Sequence, residues 1–537
     1  MQLKELQFST HFVDALPADS NTENHCRAVE KSAYSFVAPT PTRNPRLLSV
    51  NSELAISLGF SLDDLESDNF LKLFSGNALF PEMKPYAMCY GGHQFGQWAG
   101  QLGDGRAINL GELSSKQLGR QTVQLKGAGK TPYSRHADGV AVLRSSIREY
   151  LCSEAIFHLG IPTTRALSLS LTGDEVVRDK LYDGNAALEP CAVVCRISPS
   201  FLRFGSLQLP ASRGDEYLLK QTVEYSLRHH FPHIAQDKAM LDASDYLQWF
   251  KEISEKTADM IVNWMRVGFV HGVMNTDNMS LLGETIDYGP YGWIDDFDLN
   301  WTPNTSDAGE NRYRFGNQFK VSQWNLFQLA NAIFPLINEV EPLQAIMADY
   351  AIIYQQKWQK MMASKLGFKD YQGVSDQHLF EQLEALLSSV ETDMALFYRQ
   401  LATYQESKDP VEHFMNCYYQ PDQISTEYRQ QLEKWLGAYQ TRLSFDNACD
   451  RLDSGEQSER KERIERMNRV NPLYVLRNYL AQQAITQAEQ GDYSEIEKLA
   501  SLLKNPYQIQ AGFDHYAKKR PDWAKNAAGC SQLSCSS

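Results

Sequence analysis

The segment HGVMNTDNMSLLGETIDYG, residues 271–289, carries an amide at Asn278 and, nine residues on, a carboxylate at Asp287 in an IDYG turn. Metal-dependent phosphoryl chemistry requires hard oxygen donors at two such points, because a small divalent cation takes oxygen ligands and shares them with phosphate. An ordinary phosphotransferase loop would place its catalytic aspartate two residues after His271, where this chain has Val273. A carboxylate stands instead at Asp277, beside the amide. The same string also reads as a helix end followed by a hairpin with polar turn residues.

Further upstream, the strand-like VQLKGAG places Lys126 after alternating apolar residues, and Glu149 follows on a helical segment. In a kinase fold, a sheet lysine binds phosphate oxygens and is oriented by a glutamate from the one helix of that lobe. The order strand lysine, helix glutamate, amide, carboxylate is present, and the lysine–glutamate pair is expected to be partly exposed. The glycine-rich YGGHQFGQWAGQLGDGRA could bring backbone N–H groups close to phosphate or could simply turn hairpins. No GxxxxGK[ST] string occurs, which excludes a P-loop. Arg196 and Arg203, in CRISPSFLRFG, flank a loop after a strand and suit either a polyphosphate or surface carboxylates.

These residues need a sheet, a helix and a second body to hold them. From Pro85, glycine-rich turns separate strand-like runs such as GRAINLGEL, TVQLKGAG and CAVVCRIS, which predicts an antiparallel sheet. A helix over residues 142–159 interrupts it, with Leu143, Ile147, Leu151, Ala155 and Leu159 on one stripe and a Gly160–Pro162 exit. After about residue 210 the pattern becomes helical, including a long amphipathic segment ending at His271 and Gly272. The expected fold is α+β: a two-lobed core, kinase-like, with additions at both ends. Its parts are an N-terminal extension (1–85), a sheet lobe with the nucleotide site (86–209), a helical lobe with catalytic and metal residues (210–340), and a helical C-terminal region ending in a small, polar, mobile tail (341–537).

The apolar fraction of 43% marks a folding chain, and the formal charge of −14 argues against general affinity for nucleic acid or anionic lipid. No run of about eighteen apolar residues is present, and the opening residues lack a basic start and an apolar centre, so a cytoplasmic protein that spans no membrane is expected. The nine cysteines are scattered and describe no disulfide framework; Cys191 and Cys195 lie on one face of a strand-like run and read as core. His229, His230 and His233 have no partnering carboxylate or thiol motif and read as a helix end.

The strings YGGHQFGQWAGQLGDGRA, QLKGAGKTPYSRHADGVAVLRSSIREYLCSEA, LGIPTTRALSL, SPSFLRFGS and HGVMNTDNMSLLGETIDYGP resemble those of the selenoprotein O proteins, also called the YdiU family, and the likeness runs on through NPLYVLRNYLAQQAI and GDYSE to the CSS ending. The resemblance implies a kinase-like fold that binds ATP in reversed orientation and moves AMP onto Ser, Thr or Tyr hydroxyls of proteins, with release of pyrophosphate. UMP transfer from UTP is a further possibility that it raises. It implies a nucleotide site of Gly103, Gly105, Arg106, Lys126, Asp138, Gly139, Arg196 and Arg203, with Glu149 paired to Lys126. Asn278 and Asp287 would hold magnesium, or manganese, and Asp277 would accept the proton. Two positions depart from the pattern: Val140 stands where many members have arginine, and Cys535 where some have selenocysteine, which leaves a redox role for that thiol open. A kinase that transfers the γ-phosphate, suggested by the Lys126, Glu149, Asn278 and Asp287 set, and a nucleotide-binding pseudokinase scaffold, suggested by Val273, are the competing readings.

Overall fold

The computed structural model describes residues 8–180, 184–236, 238–406, 409–448 and 456–534. Eleven strands lie in the first two hundred residues: β1 (Phe8–Ser9), β2 (Tyr34–Phe36), β3 (Arg46–Val50), β4 (Tyr86–Met88), β5 (Gly91–Gln94), β6 (Gln97–Gln101), β7 (Ala107–Ser115), β8 (Gly119–Lys126), β9 (Ala141–Val142), β10 (Arg165–Asp179) and β11 (Ala186–Ser198). Nine of them form one antiparallel sheet in the order β2-β4-β7-β8-β11-β10-β3, with β1 beside β7 and β9 beside β11; β5 and β6 make a separate hairpin. The first 85 residues are thus built into the sheet, supplying three of its strands.

The central strand β11 carries the run CAVVCRIS, buried from Cys191 through Ile197. Such a continuous apolar run is what a strand covered on both faces requires. Cys191 and Cys195 are core residues, as their spacing predicts. The helix Leu143–His158 lies against β10 and β11 on one side. On its other side the helices Asn478–Glu489 and Ser494–Leu502 cover it. Little of its surface is left to solvent, so the C-terminal region fixes the helix that carries Glu149.

The helix Ala243–Val267 starts at a capping box between Asp242 and Asp245 and stops at Gly268, whose φ of 76° suits a left-handed cap. The sequence places its end at His271; two residues earlier the chain instead enters a short strand, Phe269–Val270, paired with Gly292–Trp293. That two-stranded clasp closes the base of the loop holding Asp277, Asn278 and Asp287. His229 and His230 close the helix Glu216–His230, and His233 pairs with Glu252, in line with a helix end.

Behind the clasp, Arg477 is buried between Asp393 (2.8 Å) and Asp295 (3.4 Å), and Arg520 reaches the same Asp295 at 3.2 Å. Asn478 brackets Trp293, accepting from its N–H at 3.1 Å and donating to its carbonyl at 3.0 Å. The end of the chain, expected to be a mobile tail, is tied down as far as Ser534. Leu533 accepts from the Thr305 N–H at 2.7 Å and donates to Pro303 at 2.9 Å, while Cys530 and Leu533 are buried. Apolar side chains at those two positions give a polar-looking segment its anchor. Cys535 lies outside the described residues.

Removing one partner of a buried ion pair strands the other, so Arg477→Leu is expected to cost about 3–5 kcal/mol of stability. Urea denaturation reads this directly. Lys84→Ala, which breaks an exposed contact to Asp14, is expected to leave the urea midpoint unchanged.

Candidate active site

Between the sheet and the helical body opens a cleft of about 770 Å³, a size suited to a nucleotide. Gly103, Gly105, Arg106, Lys126, Asp138, Gly139, Arg196, Asp277, Asn278 and Asp287 all line it. Glu149 and Arg203 do not. They stand one layer behind, where they hold residues that do.

The wall nearest the sheet is positioned by register. Lys126 ends β8 opposite Ala107 of β7 and Val194 of β11, and its ammonium lies 2.7 Å from Glu149 and 3.6 Å from Asp287. The Lys126–Glu149 pair is therefore present, but it is buried rather than partly exposed. The helix is covered by the C-terminal region, and the glutamate side chain is 3% exposed. Burial pushes the Lys126 ammonium down from its usual range, opposed by Glu149. Arg196, on β11, donates from one nitrogen to both Glu149 (2.9 Å) and Asp287 (2.7 Å), and from the other to the Gln124 carboxamide.

Arg203 precedes the helix Phe204–Ser212 and lies flat against the ring of Tyr90, 4.4 Å from its centre. Its guanidinium donates to the Asp277 carbonyl at 2.8 Å and to the Asp287 carboxylate. Expected at a phosphate, it instead ties the Asp277 turn to Asp287. Three cations, Lys126, Arg196 and Arg203, thus converge on one carboxylate. Burial alone would raise Asp287, yet Arg203, Arg196 and Lys126 hold it well below the usual carboxylate range. Its φ of 55° is in the left-handed region, a conformation a non-glycine residue keeps only where its surroundings enforce it.

Asp277 occupies a 3-10 turn, Thr276–Asn278. One carboxylate oxygen accepts from Gln94 of β5 at 3.1 Å, and the other is buried without a hydrogen-bond partner. Burial pushes Asp277 up to about 6, against the pull of Gln94 and Arg203. Val273 lines the cleft too, and its carbonyl accepts from the Asn278 amide at 2.9 Å. Because only the NH2 side of that amide can donate, its oxygen is left as an acceptor. No group of three His, Cys, Asp or Glu side chains able to hold a metal forms among the described residues. The Asn278 amide oxygen and the Asp287 carboxylate are nevertheless hard-oxygen donors of the kind that magnesium or manganese take, ions that need few protein ligands and complete their shell with phosphate and water.

The glycine-rich turn has a second duty. A Cβ on Gly103, at φ 79°, would fall 2.4 Å from the Tyr133 ring, and one on Gly139 would fall 2.3 Å from the Lys130 nitrogen. These glycines let two cleft-lining loops lie against each other. Asp138 is not a free carboxylate: Arg178 grips it with two bonds of 2.7 Å, and the Val140 N–H donates to it at 3.1 Å. Arg106 lines the cleft with no carboxylate in ion-pair contact among the described residues, and burial pushes it down. Arg106, Lys126 and Arg196 thus bring three cations to the inner wall beside Asp287. Such a wall attracts polyphosphate.

A family model described as "Protein adenylyltransferase SelO" matches residues 18–504. The chain belongs to this family. Among full-length relatives of this SelO-family chain, the "Protein nucleotidyltransferase YdiU" of Aromatoleum aromaticum is 50% identical, with 100% of each chain covered. The proteins of the same description from Flavobacterium johnsoniae and Rhodopirellula baltica are each 49% identical, covering 100% and 99% of both chains respectively. Reading the sequence missed Gln94, Arg178, Gln124 and Tyr133. Gln94, Gln124 and Tyr133 do sit inside the strings that carry the SelO resemblance, and that is the signal that could have found them.

A carboxyl group whose folded pKa of about 6 exceeds its ordinary 3.8 binds its proton more tightly when folded. Stability therefore falls as pH rises through that window, and the full cost is present above about pH 6. Asp277→Asn removes the cost and keeps an acceptor for Gln94. In metal-free protein this variant is expected to melt higher than the parent at pH 7, with the gap closing as the pH approaches 4, as read by calorimetry.

Proposed function

We propose that the chain transfers AMP from ATP to Ser, Thr or Tyr hydroxyls of other proteins and releases pyrophosphate. Family membership gives the class, nucleotidyl transfer to protein. The observation that supports the residue-level reading is Asp277: a buried carboxylate with one oxygen held by Gln94 and the other unpartnered, lining the same cleft as Arg106, Lys126 and Arg196.

Asp277 accepts the proton of the acceptor hydroxyl. The oxygen then attacks the α-phosphorus, forming the new O–P bond as the bridging bond to the β-phosphate breaks, and that electron pair leaves with pyrophosphate. Arg106, Lys126 and Arg196 stabilise the charge that accumulates on the leaving group. Glu149 keeps Lys126 aimed into the cleft, while Gln94 fixes one oxygen of Asp277. Magnesium or manganese, held by Asn278 and Asp287, would offset the charge of the triphosphate when bound. Gly103, Gly105, Asp138 and Gly139 shape the loops against which the nucleotide lies.

The arrangement has the parts of a kinase-like site: sheet lysine, helix glutamate and a metal-binding loop on the facing body. A γ-phosphate-transferring enzyme would use the same lysine, glutamate, amide and carboxylate, but would place its base near Val273. No helix among the described residues is long and apolar enough to cross a membrane. The acidic net charge supports a protein that works in the cytoplasm on protein and nucleotide, apart from nucleic acid and lipid.

Supplying ATP labelled at the α- or the γ-phosphate decides between the readings: protein takes up the α label and none of the γ label if AMP is transferred, and the reverse for a kinase. A scaffold incorporates neither. A positioned base contributes about 10²–10⁴-fold, so Asp277→Ala is expected to lower turnover by that factor with ATP affinity little changed. Raising magnesium will not restore it, and Val273→Asp will not rescue it; recovery in either case assigns Asp277 another role.

A further inference from the structure

One glycine of the glycine-rich segment neither makes a left-handed turn nor lines the cleft. Gly92 is buried in β5 and its φ is not positive, so its backbone conformation is open to any residue. What excludes a side chain there is Asp277. A Cβ on Gly92 would fall 2.7 Å from the Asp277 Oδ1 and 2.8 Å from its Cβ, closer than packed atoms come. Oδ1 is roofed by bare backbone, buried and without a hydrogen-bond partner, so nothing entering the cleft reaches it. Two residues on, Gln94 donates to the other oxygen, Oδ2, at 3.1 Å, and unlike Gly92 it lines the cleft. One oxygen position of the carboxylate is sealed; the other is bonded to a cleft-lining amide.

This seat is rigid because β5 is fixed to the Asp277 turn on either side of Gln94. The His93 N–H donates to the Thr276 hydroxyl at 2.7 Å, and that hydroxyl donates to the Gln208 carboxamide at 2.5 Å. The Phe95 N–H donates to the Asn275 side-chain oxygen at 3.2 Å and to the Tyr313 hydroxyl at 2.9 Å. Gly205 lets the helix Phe204–Ser212 close against the Gly91 carbonyl, where a Cβ would collide. The β5–β6 ladder shifts register between Gly91 and His93, with one extra residue on the β6 side. Such bulges re-aim a strand beside a site.

We propose that Gly92 and Gln94 are positioning residues for nucleotidyl transfer, which leave the Oδ2 position as the one that takes the acceptor's proton. The proposal rests on Asp277 being the base, and adds which oxygen acts and what holds it there. A half-turn of the carboxylate only exchanges its two oxygens, so one position stays sealed and one stays open. The amide of Gln94 uses one lone pair of the open oxygen and leaves another for the proton. As the acceptor O–H breaks, its proton bonds to that oxygen and its electron pair forms the bond to the α-phosphorus; the bond to the β-phosphate breaks and its pair leaves with pyrophosphate.

Gly92→Ala adds one methyl in a backbone conformation that permits it and displaces the carboxylate from outside the cleft. Turnover is read as label moved from α-labelled ATP onto the soluble protein of a cell extract, and ATP affinity by calorimetric titration. A misplacement of about 1 Å is worth on the order of 10²-fold in rate, so Gly92→Ala is expected to lose turnover by that factor with ATP affinity unchanged. In Asp277→Gly, which removes the atoms the methyl meets, the same change is expected to take nothing further from the residual turnover and to leave the melting temperature where it was. Gln94→Met keeps the length of the side chain and loses the donor. It is expected to lower turnover with ATP affinity and melting temperature unchanged, and it carries the test if Gly92→Ala does not fold. Parental turnover in either variant overturns the proposal, as does a further loss when Gly92→Ala is added to Asp277→Gly, or a fall in ATP affinity that accounts for the lost turnover. No α label on protein from the unaltered chain overturns the nucleotidyl-transfer reading beneath it, and the proposal with it.

Discussion

Asp287 is the point on which the rest of the structure depends. Its carboxylate is drawn upon at once by Lys126 from β8, Arg196 from β11 and Arg203 from the start of the helix Phe204–Ser212. Gathering three cations around one buried carboxylate is unfavourable unless other anions share them, and Glu149 does, accepting from both Lys126 and Arg196. The four elements must therefore approach one another closely. Three features hold them there: a doubly covered β11, a helix enclosed by the C-terminal helices, and the loop of Asp277 and Asp287 clasped at its base.

The cluster also explains why the cleft is poised for a polyanion. Arg106, Lys126 and Arg196 line it, and Asp104, buried nearby, is pushed up by its burial against the pull of Arg203. Phosphate oxygens entering this wall would supply the missing negative charge. They would compete with Asp287 for its arginine and lysine partners and so leave its oxygens available to a metal. Asp277 stands outside that exchange. Its side chain meets Gln94 rather than a cation, so burial dominates and pushes its pKa up to about 6.

The parts of this design legible in the sequence are those that local pattern expresses. The alternation ending at Lys126, the apolar stripe with Glu149 off it, and the amide and carboxylate nine residues apart all lie within short stretches of sequence, and the structure brings Lys126, Asn278 and Asp287 to one cleft with Glu149 one layer behind. The antiparallel sheet and the helices after residue 210 follow from periodicity in the same way. Contacts between distant segments were not legible. Gln94 reaches Asp277 across 183 positions, and Arg178 neutralises an Asp138 that reads as a free ligand. Arg203 looks like a phosphate ligand by spacing and becomes a tie between loops because the helix it caps is buried. The terminal segment misled for a related reason: small polar residues hide two buried positions, Cys530 and Leu533, and Leu533 is bonded to Pro303 and Thr305 far upstream.

The central claim, that a positive wall and a displaced base present the α-phosphorus to an acceptor hydroxyl, is tested most directly by a crystal structure with magnesium and a non-hydrolysable ATP analogue. The account predicts the α-phosphate beside the Asp277 carboxylate, with the β- and γ-phosphates against Arg106, Lys126 and Arg196 and the metal on Asn278 and Asp287. A γ-phosphate beside Asp277, with the adenine in the depth of the cleft, would contradict it.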